Sequence, residues 1–282
     1  MNREESSMTI SKKNMKWIPW LLILPVVLIR GFTTVYPILM TVKNSFFNIS
    51  ILAGINEFIG FKNYLKVFSD PKVLTSISFT AIFVVASMIF HVILGVILAL
   101  ILNMKFKRVV QTITYMPHFL SWVVVTALVW AFLSFDKGLL NSLLESMGKD
   151  PHQWYMEPKL WPPFLIFMYM WKNLGYSMVV YLATITGIDK TYYEAAGIDG
   201  ATVWQQMRYV TLPLMKTVII MMFIMAVGRI FYSDFGLFYQ VPRDSNSLYN
   251  VSYTLDVFVF KQLKSSTTGM ASAAAFVQSV AG

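Results

Sequence analysis

Glu194-Ala195-Ala196-Gly197-Ile198-Asp199-Gly200-Ala201-Thr202-Val203-Trp204-Gln205-Gln206-Met207-Arg208-Tyr209-Val210-Thr211-Leu212-Pro213 decides the fold. It is a polar island between two apolar runs, residues 161–186 before it and 214–227 after it. Both flanks are lipid-like in composition, so the island sits in water at a membrane surface and the runs beside it cross the bilayer. Within the island, 191–196 is expected to form a short helix with Asp189 or Thr191 as its N-cap. Gly200 supplies a turn where a side chain would obstruct the backbone or φ must be positive. Residues 201–209 make a second helix, and Pro213 redirects the chain into the following span. Ala195, Ala196, Gly197 and Ala201 leave one face nearly flat. Such a face can dock in a groove on a partner, with Glu194 offering its carboxylate to a cation there.

Composition extends the same conclusion to the rest of the chain. Of 282 residues, 56% are hydrophobic, 16% aromatic and only 13% charged, with a mean hydropathy of +0.59. Soluble domains carry about 25% charge, and a chain this apolar cannot cover its surface in water. There are no cysteines, which excludes disulfides and thiolate metal sites. His91, His118 and His152 lie far apart and make no metal-ligand pattern. The net charge of +9 is scattered over loops. Positive-inside orientation and anionic lipid account for it, without nucleic acid.

The expected fold is an all-α membrane protein of about six transmembrane helices. An N-terminal tail, 1–16, precedes a transmembrane domain, 17–282, that contains the loop 187–213. The first span, 17–40, follows Lys12, Lys13 and Lys16 and imitates a signal peptide, but its apolar character runs past Arg30 with no small-x-small cleavage site. Further spans are expected at 76–103, 112–135, 161–186 and 214–235. A sixth begins near Gly269, and the fourteen residues from there to Gly282 are too few to cross a ~30 Å core at ~1.5 Å per residue. The natural protein is therefore expected to continue through the rest of that span into a basic tail. Lys and Arg divide evenly between the two sides, ten each. Those beside the first span, and Lys105, Lys107 and Arg108 in the short connection between spans two and three, count most and favour a cytoplasmic N-terminus.

The island's pattern is Glu-Ala-Ala, three residues, Gly200, nine residues, Val210, one residue, then Leu212-Pro213. It resembles the cytoplasmic coupling loop of importer-type ABC permeases. Phe61-Lys62-Asn63-Tyr64 with Asp70-Pro71, then Pro117, Trp130, Gly138, Asn141, Trp171, Lys172 and Gly175, extend the resemblance over most of the chain. The chain is thus similar to permease subunits of binding-protein-dependent carbohydrate ABC importers, of the maltose and glycerol-phosphate permease type. Pro117-His118-Phe119-Leu120-Ser121-Trp122-Val123-Val124 and Phe235-Gly236-Leu237-Phe238-Tyr239-Gln240-Val241-Pro242-Arg243-Asp244 resemble its LplB-type subgroup, associated with complex, often acidic, oligosaccharides.

The resemblance implies a type I importer permease fold in a bacterial cytoplasmic membrane. It implies a second, homologous permease completing a heterodimeric pore, two ATPase subunits, and an extracytoplasmic solute-binding protein that delivers an oligosaccharide. It assigns Glu194, Ala195, Ala196, Asp199, Gly200, Ala201, Leu212 and Pro213 to ATPase coupling. The chain shows no Gly-x-x-x-x-Gly-Lys-Ser/Thr loop, so ATP and Mg²⁺ belong to the partner ATPase and no cofactor is expected in this chain. Without a large periplasmic insertion, the binding protein would dock on short outer segments, 48–73, 136–159 and 241–266.

Polar and aromatic residues within spans are the candidates for touching a sugar: Arg30, Trp171, Asn173, Tyr176, Arg229, Tyr232 and Asp234. Arginines also suit a uronate carboxylate. Each has a plainer role available. Arg30 can snorkel, Asp234 can neutralise Arg229 or sit at the interface, and Lys172 can pack between helices. His91 suits a hydrogen bond between helices better than a proton relay. A stand-alone secondary transporter or channel would need acidic relays or internal repeats, and a membrane enzyme a nucleophile–base or metal constellation. Asp234 is the one acid expected inside a span, and no clear inverted repeat is visible.

Overall fold

A computed structural model describes residues 17–50, 53–101, 107–229, 231–265 and 267–281. The tail 1–16 and Lys105 lie outside the described residues. The first span joins α1 (Ile18–Arg30) and α2 (Tyr36–Ser45) through a π-turn, Gly31–Val35, and is continuously apolar over Pro19–Ser45. A two-stranded antiparallel ribbon follows, β1 (Phe47–Ser50) and β2 (Ile55–Phe58), with Phe47 opposite Phe58. The expectation of helices throughout did not include it; the ribbon pairs its own backbone just beyond the end of the first span. After it come α3 (Lys62–Ser69) and the long α4 (Pro71–Ile101).

The third expected span is not one helix. It breaks into α5 (Lys107–Phe119) and α6 (Trp122–Leu133), with a bend of 100°. Pro117 lacks an N–H near the end of α5, and Ser121 caps α6 by accepting the Val124 N–H at 3.3 Å. Then come α7 (Leu139–Ser146), two 3₁₀ turns, and α8 (Trp161–Thr186). Next are α9 (Lys190–Ile198), α10 (Val203–Gln206), a π-turn over Met207–Thr211 and α11 (Leu212–Val227). After α11 the chain makes a π-turn over Gly236–Gln240 and a 3₁₀ turn, followed by α12 (Tyr249–Ser252), α13 (Leu255–Lys264) and α14 (Thr268–Ala281).

Two further expectations are corrected. The second helix of the polar island and the fifth span are one continuous rod, Val203–Val227. Pro213 does not redirect the chain, because the π-turn Met207–Thr211 before it takes up the missing N–H. The fifth span also stops at Val227 rather than at 235.

Length and apolar composition single out Pro19–Ser45, Pro71–Ile97 and Val203–Val227 as able to cross a membrane, and a fourth if the bent α5–α6 pair counts as one. The remaining two expected segments are present as α8 and α14. Of these, α8 is long but more polar, carrying Lys172 and Asn173, and holds more buried residues than any other described helix.

Helix α8 packs between α4 and α5. A Cβ on Gly175 would stand 2.3 Å from the Thr114 carbonyl oxygen, so the α5 and α8 backbones touch at this point. Trp161, Leu165 and Met168 of α8 form the main core with Phe83 of α4, Val125 and Val129 of α6, and Leu237 and Phe238 of the last π-turn. Small residues bury α14 against α2 and α13, with Gly269, Ala271, Ser272, Ala273 and Ala274 all enclosed. In a bilayer such residues give close backbone packing that lipid-like Leu does not.

Candidate functional site

A cavity of about 710 Å³ opens among α4, α5, α8, α11 and the segment after α11. Its wall is unusually polar for a membrane interior. It includes Ser87 and His91 from α4, His118 from α5, and Tyr169, Asn173 and Tyr176 from α8, with Arg229, Tyr232 and Asp234 beyond α11. The structure thus brings together five of the seven residues singled out for sugar contact, Asn173, Tyr176, Arg229, Tyr232 and Asp234. Arg30 is exposed on the first span, and Trp171 packs against the main core; neither lines the cavity.

His91, His118, Tyr169 and Tyr181 also line the cavity, and sequence reasoning did not assign them to it. The His118 ring stacks on Tyr176 at 5.4 Å between centroids and on Tyr115 at 5.6 Å. His91 meets Tyr169 edge to face at 5.3 Å. Its Nδ1 lies 3.0 Å from the Ser87 carbonyl of its own helix, so the expected bond between helices is replaced by an intrahelical one. His91 Nε2 and His118 Nδ1 are buried with no hydrogen-bond partner among the described residues. Buried polar atoms are costly without partners. Their position on this wall suits a ligand rich in hydroxyls. The i, i+4 placing of His91 after Ser87 and the His118 beside Pro117 were the available signals.

Two contacts hold the wall in shape. Lys172 is buried, and its ammonium donates to the carbonyls of Pro117 at 3.4 Å, His118 at 3.1 Å and Leu120. These carbonyls lie at the end of α5, where the Pro117 oxygen also accepts the Leu120 N–H at 3.2 Å, and a cation there meets the negative end of the helix dipole. Trp122, the first residue of α6, donates its indole N–H to Asp234 at 2.7 Å. A Cβ on Gly236 would collide with the Trp122 ring at 2.2 Å. The bent span and the segment after α11 are therefore locked together at Trp122. Asp234 is engaged by this bond, while Arg229 has no ion pair among the described residues.

The polar island forms a separate, water-facing site. Asp189 caps α9 by accepting the Thr191 N–H at 3.0 Å, and that bond holds its carboxyl below the usual carboxylate range. At the other end, Gly200 takes φ +77°. The Ala201 N–H reaches the Ala196 carbonyl at 2.9 Å and the Gly200 N–H the Gly197 carbonyl at 3.0 Å, the paired bonds of a Schellman motif. Thr202 and Gln205 then close a capping box on α10. Tyr193 bonds Thr211 at 3.0 Å and ties α9 to the rod.

Glu194, Ala195, Asp199 and Gly200 are exposed, and Ala196 and Ala201 are partly covered; Leu212 and Pro213 lie at the top of the rod's π-turn. Beside Glu194, Ile198 is 87% exposed, Val203 75% and Trp204 66%.

Known proteins resemble the chain along its length. Residues 91–233 match the family described as "Binding-protein-dependent transport system inner membrane component". The polygalacturonan/rhamnogalacturonan transport system permease protein YteP of Bacillus subtilis (strain 168) is 32% identical over 209 residues, 73% of this chain and 64% of the relative. Protein LplB of the same organism is 28% identical over 209 residues, 73% of this chain and 65% of the relative. The match therefore spans a little under two thirds of these two relatives' own lengths. A solved bacterial ABC transporter involved in the import of the acidic polysaccharide alginate superposes with a TM-score of 0.83 at 27% identity, covering 95% of this chain and 93% of that one. The alginate transporter in complex with alginate pentasaccharide-bound periplasmic protein gives 0.81 at 27% identity, covering 95% and 91%.

Proposed function

The chain belongs to the family of inner membrane components of binding-protein-dependent transport systems, and from that premise we propose that it forms one half of the pore of an ATP-driven oligosaccharide importer. The observation that carries the proposal is the polar island. It is a helix–turn–helix fixed by a Schellman glycine and a capping box, continuous with a membrane-crossing rod, and it exposes Glu194 beside Ile198, Val203 and Trp204. In this proposal a separate ATPase grips that surface, and the rod carries the displacement from the cytoplasmic face into the cavity wall. A second permease closes the open side of the cavity, two ATPase subunits bind ATP and Mg²⁺, and an extracytoplasmic binding protein delivers the sugar. The chain lies in the bacterial cytoplasmic membrane with its N-terminus inside.

The cavity supports an acidic oligosaccharide as cargo. Tyrosine faces suit sugar rings, the unpartnered His91 and His118 nitrogens suit hydroxyls, and the free Arg229 guanidinium suits a uronate carboxylate. The polygalacturonan/rhamnogalacturonan and alginate relatives point to the same chemistry.

The test is ATP hydrolysis by the purified assembly in lipid, with and without binding protein and candidate oligosaccharides, alongside Glu194→Ala and Gly200→Asp. Stimulation by one sugar class that both variants lose, while the subunits still assemble, supports the coupling role and names the cargo. Equal stimulation in the variants removes the island from the mechanism. Uptake that needs no ATPase at all would favour a transporter working alone.

A further inference from the structure

We propose that α3 is an interfacial helix that seats the protein in the lipid headgroup layer and binds anionic lipid through Lys62 and Lys66. Three observations converge on it. First, α3 sits where membrane helices end. Asn63 donates to the Ser45 and Phe47 carbonyls, both at 2.9 Å, and the Tyr64 hydroxyl meets Ser45 Oγ at 2.6 Å, where the first span terminates. Asp70, in extended conformation, turns the chain out of α3 and into α4, accepting the Lys72 N–H at 2.9 Å. The start of α14 is at the same level, since a Cβ on Gly269 would strike the Phe47 carbonyl at 2.0 Å. Three membrane segments thus end or begin around one short helix, which places it at the boundary of the hydrocarbon core.

Second, α3 has three distinct faces. Asn63 and Val67 face the protein and are buried. Phe61 (69% exposed), Leu65 (66%) and Phe68 (52%) follow one another at i, i+4, i+7 and form an apolar stripe that stays largely exposed among the described residues, with Phe61 edge-on to Phe46 at 5.3 Å. Lys62 and Lys66 stand about a quarter-turn round the helix from that stripe, exposed and without an ion pair among the described residues. Third, α3 contains no acid, so its charge is uniformly positive. An apolar stripe edged by lysines is the arrangement that lies in the plane of a membrane surface, with acyl chains under one face and phosphates beside the other.

This inference needs only that the chain is a membrane protein; because α3 lies within 48–73, where a binding protein is expected to dock, lipid and that protein are rival occupants of the stripe. The chain has no native cysteine, so Leu65→Cys, Phe68→Cys and Lys66→Cys each give a single spin-label site in this subunit, in the purified assembly reconstituted in nanodiscs. Labels at 65 and 68 are expected to meet oxygen and be shielded from a water-soluble nickel chelate, while the label at 66 meets the chelate. Equal chelate access at all three positions would show a face in water, and shielding of 65 and 68 from both reagents would show a protein partner; either overturns the proposal. In a second arm, phosphatidylglycerol retained by the assembly is measured in phosphatidylcholine discs. Each lysine near a charged surface is worth about fivefold in affinity. Lys62→Glu with Lys66→Glu is therefore expected to lower retention at least tenfold, with Lys137→Glu as an unaffected control. Unchanged retention would overturn the headgroup contact.

Discussion

Lys172 shows how one side chain sets the shape of the cavity. A helix that stops inside a membrane leaves carbonyls with no water to satisfy them. Here an ammonium from α8 takes three of them at the end of α5. Lys172→Met keeps the length and loses the donors. It is expected to cost about 1–3 kcal/mol of stability through unsatisfied acceptors, read as a lower unfolding temperature of the assembly in lipid. Gly175 is the companion constraint one turn along. A methyl group there meets the Thr114 and Tyr115 backbone, and Gly175→Ala is expected to cost a further ~1–3 kcal/mol by overpacking, with the α5–α8 contact forced apart. Unfolding temperatures unchanged in both variants would mean that the bend is held by something other than α8. In the proposed function Arg229 acts on the cargo rather than on the fold. It is exposed on the cavity wall and has no ion pair among the described residues. Arg229→Gln is expected to lower uptake of a uronate-bearing oligosaccharide about tenfold, near the value of one charged hydrogen bond, and to leave a neutral one of equal length unchanged. Equal losses on both would assign Arg229 to structure.

The elements share a device that explains where the helices deform. Among the described residues, all three π-turns, Gly31–Val35, Met207–Thr211 and Gly236–Gln240, end two residues before a proline: Pro37, Pro213 and Pro242. A proline gives no N–H to the carbonyl four residues back and its ring clashes with it. In each case that carbonyl belongs to the middle residue of the turn: Thr33, Tyr209 or Phe238. The residue before the proline then bonds five back, as Tyr36 does to Gly31 and Leu212 to Met207. The widened turn is the answer to a missing donor, and it sets the rotation of α11 relative to the polar island. Pro213→Ala restores the donor and is expected to relax the turn to ordinary α-helix, rotating α10 against α11. ATP hydrolysis should persist with sugar uptake reduced several-fold, whereas unchanged coupling would make the π-turn incidental. The sequence reading took this proline for a corner, because a helix-breaking residue reads as a break when a widened turn that absorbs its missing donor is not considered. The break at Leu120–Ser121 was written in the sequence as Pro117 and Ser121. An unbroken apolar run hid it, since hydropathy reports depth and not direction.

At the scale of the whole molecule, the membrane character, the polar island and three of the six expected spans, four if the bent pair counts as one, were readable, because composition and periodicity carry that information locally. The cavity was half readable. Charged and aromatic residues inside spans pointed to Asn173, Tyr176, Arg229, Tyr232 and Asp234, but the pairing of α4 with α8 that brings His91 beside Tyr169 depends on helix rotation, which an all-apolar span does not encode. Long-range polar contacts were invisible for the same reason, and one of them joins the two halves of the cavity. Trp122 and Asp234 are 112 residues apart, yet 2.7 Å separates indole nitrogen from carboxylate. Gly236 packs under the same ring, so the bent third span and the segment leaving α11 are one mechanical body. If the rod Val203–Val227 transmits movement from the polar island, this contact passes it across the cavity to α6. A double-mutant cycle isolates it. Trp122→Phe removes the donor and keeps a ring, and Asp234→Ala removes the acceptor. Each alone should lower the unfolding temperature of the assembly and the coupling of ATP use to uptake. Together they should cost less than the sum by about 1.5 kcal/mol or more, the value of a hydrogen bond to a charged partner. Strictly additive losses, in stability and in coupling, would mean that the two segments move independently.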